Sequence, residues 1–169
     1  GNISVKWLEA IKVQQTPAYT REETSKYTDL LKDGTAEMFS LGMEVKSVIT
    51  SPSGTMKLRR KGVYEISGMA WSGARMISAV EVSADGGKTW AEAMLQSDSQ
   101  TNALTRFRIP WHWSGQPSVL QSRAIDSKGN VQPTRNMALE RYSMANYYHY
   151  NGIQSWQVDA KGIVKNVYV

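Results

Sequence analysis

The side chains able to do chemistry in this chain are few and scattered. Cysteine is absent, which removes disulfides, a thiolate nucleophile and Cys-based zinc or iron–sulfur sites together. The two histidines, His112 and His149, lie far apart in the sequence, and neither forms a metal-like cluster with Asp or Glu. His112 falls between Trp111 and Trp113 and reads as packing. Glu22 and Glu23 are adjacent, so they point in different directions and make no carboxylate pair. No phosphate-binding glycine loop occurs. The densest basic run is Lys57, Arg59, Arg60 and Lys61, at the end of a strand-like segment before Gly62. It reads as solvated hairpin residues, because nucleic-acid binding needs a broader basic face and a recognisable module. Tyr147, Tyr148, Tyr150 and Trp156 suit core or interface packing, with sugar stacking as the alternative. A chain catalytic by itself would need a metal or nucleophile constellation, and none stands out.

The elements that must position these residues follow from size and pattern. A chain of 169 residues suffices for one domain, or one domain with a short extra segment. Such a chain buries roughly 70% of its unfolded surface and can hold a core without staples. The formal net charge is +5, compatible with an acidic partner or with solubility alone. No run approaches roughly 18 apolar residues, and no basic stretch precedes an apolar one at the N-terminus. Neither a membrane span nor a signal peptide is expected within these residues.

Along the chain, Ile3–Leu8 and Ile11–Val13 read as two short strands. Residues 14–42 are polar and weakly patterned, with Glu22, Glu23, Lys26 and Lys32 on at most a helical turn. Residues 1–42 are therefore expected to form an arm and linker lying on another surface. From Met43 onward short β-rich runs recur: 45–50, 56–60, 63–71, 76–83, 89–95, 104–113, 119–126 and 163–169. Turn residues separate them, among them Ser51-Pro52-Ser53-Gly54, Lys61-Gly62, Ser114-Gly115 and Lys128-Gly129-Asn130. Tyr64, Ile66, Gly68 and Ala70 share one face, the alternation of a half-buried strand. Residues 79–91 read as a hairpin, Asp85-Gly86-Gly87 tolerating the positive φ of a turn and Trp90 anchoring the return arm. The expected fold is all-β, an immunoglobulin-like β-sandwich of about seven or eight strands over residues 43–169.

Gly68-Met69-Ala70-Trp71-Ser72-Gly73 followed by that hairpin resembles the C-terminal dimerisation domain of the sulfite oxidase family of molybdopterin enzymes. Further matches come in the same order: Ser4-Val5-Lys6-Trp7-Leu8, Ser47-Val48-Ile49-Thr50-Ser51-Pro52, Arg123-Ala124-Ile125-Asp126, Asn130-Val131-Gln132-Pro133 and Asn151-Gly152-Ile153. Any one is weak; in this order and spacing they are strong. Tyr148-His149-Tyr150-Asn151-Gly152-Ile153-Gln154-Ser155-Trp156 is similar to the branch that includes the molybdenum subunit of sulfane dehydrogenase.

The resemblance implies that this chain is one piece of an enzyme. In the family, molybdenum is held by a pterin dithiolene and a cysteine of a preceding catalytic domain. A chain without cysteine cannot supply that soft ligand, so the fragment alone would bind no metal while its parent carries molybdopterin–molybdenum. By the same resemblance Ser4, Val5 and Lys6 match the last cofactor-contacting strand, with Lys6 a flexible point charge for a phosphate. The alternative is an ordinary strand with an exposed lysine. Tyr27 matches the family's active-site tyrosine, whose phenol donates a hydrogen bond near the metal; otherwise it is a surface tyrosine of a polar linker. Asn151 stands where sulfite oxidases carry an arginine that reaches into the anion pocket. Asn keeps hydrogen bonding and loses the charge, which puts free sulfite in doubt and suits a protein-carried sulfur group. Equally, Asn151 would accept a turn conformation before Gly152.

The implied partners are a second copy of the chain, the catalytic molybdenum domain and a c-type cytochrome that accepts the parent's electrons, with no nucleic acid and no membrane. The implied location is the periplasm. The rival expectation is a free-standing immunoglobulin-like module that binds carbohydrate or protein, which would have no reason to keep Ser4–Leu8 together with Tyr27.

Overall fold

The computed structural model describes residues 4–21, 24, 26–38, 42–73, 75–142 and 148–169. Alternation along residues 62–71 sets the pattern for the whole molecule. In strand β4 (Gly62–Trp71), Ile66, Gly68 and Ala70 are buried while their neighbours are not. Tyr64 packs against the same core. Gly68 is required there: a Cβ would lie 2.1 Å from the Val48 carbonyl oxygen and 2.5 Å from the Phe107 ring. Only the missing side chain lets that fully buried aromatic seat itself against the strand.

β4 lies between β3 (Lys46–Ser51) and β8 (Thr105–Trp113), with β7 (Met94–Leu95) at the edge, in the order β3-β4-β8-β7. The facing sheet has the order β11-β10-β9-β5-β6, from Val164–Val167, Ser155–Val158, Ser118–Asp126, Ile77–Ser83 and Ala91–Glu92. The pairs within both sheets are antiparallel. Inward side chains of both sheets, among them Ile66, Phe107, Val80, Leu120, Ala124 and Val158, share one core. This is the expected all-β, immunoglobulin-like sandwich.

Several expected elements take another form. Residues 89–95 do not make one strand. Glu92 pairs with Glu81 in one sheet and Met94 with Arg108 in the other. The chain crosses between them at buried Ala93, whose N–H donates to the Val80 carbonyl. Residues 56–60 form no named strand and are tied instead by a bridge from Lys57 to Ile163 and by Leu58 N–H to the Gly162 carbonyl. β10 and helix α1 (Arg135–Arg141, capped by the Thr134 hydroxyl) have no counterpart among the elements expected from sequence. Nor does a small hairpin of β1 (Thr28–Leu30) and β2 (Ala36–Met38), which lies inside the polar stretch.

His112 is not packing material. Alternation along β8 turns Phe107 and Trp113 inward, and His112 is exposed on the outer face between Trp111 and Trp113. The strands expected at Ile3–Leu8 and Ile11–Val13 are likewise absent over the described residues 4–13, where no strand is assigned. A strand exists through hydrogen bonds to a neighbour, and none of the named strands pairs with this segment.

The turn at Asp85 is longer than a two-residue hairpin loop and is held by its own polar groups. The Asp85 carboxylate accepts from the Lys88 and Thr89 N–H groups (both 3.0 Å), the Thr89 hydroxyl (2.6 Å) and the Ser83 hydroxyl (2.7 Å). Gly86 and Gly87 take φ of 77° and 87°, the left-handed region open to glycine. Trp90 donates to the Gly87 carbonyl at 3.1 Å, and Arg123 lies 4.3 Å from its ring centroid while pairing with Glu81 at 2.6 Å.

A buried polar pin joins the two sheets. The Gln132 Oε1 accepts from the Ser47 N–H and hydroxyl (both 2.8 Å) and the Ala124 N–H (3.2 Å), and the Ser47 hydroxyl oxygen accepts from the Ser122 hydroxyl at 2.9 Å. These side chains are 1–2% exposed, so their hydrogen bonds have no water to replace them.

Candidate functional site

Polar and charged side chains gather at one end of the sandwich, where the β1–β2 hairpin, α1 and residues 148–151 meet. Arg141, in the last turn of α1, reaches Glu37 of β2 at 2.6 Å and Glu44, just ahead of β3, at 2.9 Å. The other Glu44 oxygen accepts from Asn151 Nδ2 at 2.8 Å. The Tyr142 hydroxyl donates to Glu37 at 3.5 Å, and Leu31 bridges to Tyr142. Donation to the Glu37 carboxylate holds the Arg141 guanidinium's pKa above its usual range. The short hairpin is thus fastened to the sandwich by an ion-pair network as well as by backbone.

The sequence-predicted residues divide between this end and the arm. Tyr27, half-buried just before β1, meets Tyr148 edge to face at 5.0 Å between centroids, and Tyr148 meets His149 at 4.6 Å. The Tyr148 N–H donates to buried Asp29 at 2.6 Å. Asn151 is 4% exposed and three residues along the same loop. Its φ is not positive, so the left-handed turn conformation is not what holds an Asn there. Ser4, Val5 and Lys6 are exposed and belong to no named strand. Tyr27 and Asn151 are therefore brought to one loop, and Ser4, Val5 and Lys6 are not joined to it by any described contact. Glu22, Glu23, Ile3 and Tyr147 lie outside the described residues.

Two cavities open at this end. A groove of about 730 Å³ is lined by Glu44, Arg75, Asp126, Lys128, Arg141 and Asn151 among others. A second, of about 320 Å³, is lined by Glu44, Lys46, Trp71, Tyr148, His149 and Asn151 with Met43 and Tyr150. The Lys46 ammonium donates to the Tyr150 carbonyl and stands 5.2 Å from its ring centroid, and burial lowers its pKa. The site supplies donors, acceptors and balanced charge in fixed positions. Among the described residues no group of three or more His, Asp or Glu is placed to hold a metal ion, and no helix is long and apolar enough to cross a membrane.

Sequence reasoning passes over Glu37, Glu44, Lys46 and Arg141. None of them belongs to a chemical motif of its own. Only their convergence from positions about a hundred residues apart gives them a role, and no local signal marks it.

Fold and site together define a β-sandwich with a polar, groove-bearing end. Residues 37–156 match the family model described as the Mo-co oxidoreductase dimerisation domain, and the chain belongs to that family. Mouse mitochondrial sulfite oxidase (Mus musculus) is 31% identical over 148 residues, covering 79% of this chain and 27% of that protein. Nitrate reductase [NADH] 1 of Arabidopsis thaliana is 27% identical over 161 residues, covering 80% and 18%. Among solved structures, the sulfane dehydrogenase SoxCD from Paracoccus pantotrophus superposes with a TM-score of 0.84 at 49% identity, over 89% of this chain and 39% of that one. The chain thus spans roughly a quarter of the sulfite oxidase and under half of the sulfane dehydrogenase chain.

Proposed function

We propose that this chain is the pairing and pocket-completing portion of a molybdopterin-dependent sulfur oxidoreductase, which oxidises sulfite or a protein-carried sulfane group. The observation that carries the reading is the arm. Val5, Trp7, Leu8, Ile11 and Val13 are 60–97% exposed within a chain that belongs to a molybdenum-enzyme domain family. So dense an apolar display asks for a covering surface, and a preceding catalytic domain is the natural one. Residues 1–42 would close that domain and link it to the sandwich of residues 43–169, which would pair with its twin about a two-fold axis. Electrons would leave to a c-type cytochrome, in the periplasm, the basic excess favouring an acidic partner.

The donor chemistry of Ser4, Val5 and Lys6 fits an anionic, phosphate-bearing cofactor: an exposed ammonium beside backbone groups that no named strand pairs. When bound, the molybdenum–pterin group supplies the two-electron redox centre. Lys6 would hold its phosphate, Tyr27 would donate a hydrogen bond toward the reacting oxyanion, and Asn151 would border the substrate pocket. With its amide engaged by Glu44 at 2.8 Å, Asn151 brings no positive charge, which favours a larger sulfur carrier over free sulfite.

Sedimentation equilibrium of the chain, alone and mixed with the catalytic domain, tests the reading. A dimer or a stable complex is expected. A monomer at high concentration that also ignores the catalytic domain would remove it.

A further inference from the structure

A third cavity, of about 200 Å³, lies between α1, the loop at residues 150–155 and the C-terminal strand. Lys46, Arg135, Tyr150, Asn166, Tyr168 and the chain-terminal Val169 are among its lining residues, and no Asp or Glu is among them. Both cations are half-buried. Among the described residues neither has a carboxylate within ion-pair distance. Each stands against a tyrosine ring of the wall, Lys46 Nζ at 5.2 Å from the Tyr150 centroid and Arg135 over Tyr168 at 4.6 Å. Tyr150 is itself folded onto Gly152, where a Cβ would sit 2.5 Å from its hydroxyl oxygen. Burial raises the Tyr150 pKa, outweighing the opposite pull of Arg135.

Two half-buried cations lining one small cavity give up part of their hydration, a cost that a bound anion offsets. Lys46 gives one of its three donors to the Tyr150 carbonyl and Arg135 offers a planar fork. We propose that Lys46 and Arg135 form a binding site for a small tetrahedral oxyanion of the sulfate or phosphate type in this cavity. The site stands on the geometry of this chain and does not depend on the enzymatic reading above.

Titration of the chain with sodium sulfate, and separately with thiosulfate, against sodium chloride at constant ionic strength tests it. The backbone amide resonances of Gly152, Ile153 and Asn166 provide the readout. Saturable shifts confined to these residues are expected, with affinity about tenfold weaker or worse in Lys46→Met and in Arg135→Met. Lys46→Arg should stay within a few-fold of the parent, and Lys161→Met, an exposed lysine elsewhere, should be unchanged. Arg135 is on a surface helix, so its variant reports even if Lys46→Met folds poorly. Linear, unsaturating shifts, or equal binding by the folded Arg135→Met variant, would overturn the proposal.

Discussion

Residues 64–71 and residues 5–13 look alike in sequence: short runs of apolar and β-favouring side chains with a tryptophan in each. In the folded chain they have opposite fates. β4 is paired on both edges, to β3 and β8, and buries Ile66 and Ala70 to 1% and 0% exposure. The arm pairs with no named strand and leaves Trp7 95% and Val13 97% exposed. The difference teaches that strand propensity is realised only where neighbours supply hydrogen bonds and a face to bury. The sandwich contains its own neighbours. Those of the arm, in the function proposed above, are supplied by another surface.

The sharpest way to test that contrast is to disturb the self-contained side. Gly68→Ala forces a Cβ into the Val48 carbonyl and the Phe107 ring, and overpacking of this kind should cost about 3 kcal/mol, read as a lowered urea midpoint. Gln132→Leu strips the acceptor from three buried donors and should cost about 2 kcal/mol, measured the same way. A smaller effect, confined to acid, belongs to the Asp85 loop. Its hydrogen bonds, first from the Thr89 side chain and N–H, hold the Asp85 carboxyl well below its ordinary value of 3.8. A depressed folded pKa stabilises above the unfolded value and loses that contribution as pH falls below it. Asp85→Asn should therefore flatten the decline in melting temperature below about pH 4 relative to the parent chain. At the far end of the scale, Trp7→Ser with Ile11→Ser should leave the stability of the chain within about 0.5 kcal/mol of the parent, read from urea unfolding. The same pair should weaken capture of the catalytic domain. A large loss of intrinsic stability from the arm variants would break the comparison.

Legibility in the sequence follows the range of the interactions. The half-buried alternation of β4 and the turn chemistry at Asp85 are local, and both are present in the folded chain as the sequence implies. The sheet switch at Ala93 is not legible, because nothing within residues 89–95 distinguishes one strand from two pieces facing different partners. His112 misleads because flanking tryptophans suggest burial, whereas strand alternation sends a residue next to an inward side chain outward. At the site, Tyr27 and Asn151 stand out by resemblance alone. Glu37, Glu44, Lys46 and Arg141 carry the charge around them and are invisible singly.

Local pattern by itself therefore determined the fold class, the core face of β4 and the glycine-dependent turns, since each depends on period-two alternation or on permitted φ within a few residues. The absence of cysteine excluded thiolate chemistry from composition alone. Tertiary structure decided which strands found partners, which cations among the described residues came to line a cavity, and which distant polar residues came to share one end of the sandwich. Those outcomes depend on contacts between residues roughly a hundred positions apart, where charge and burial are properties of the assembled neighbourhood and not of any segment.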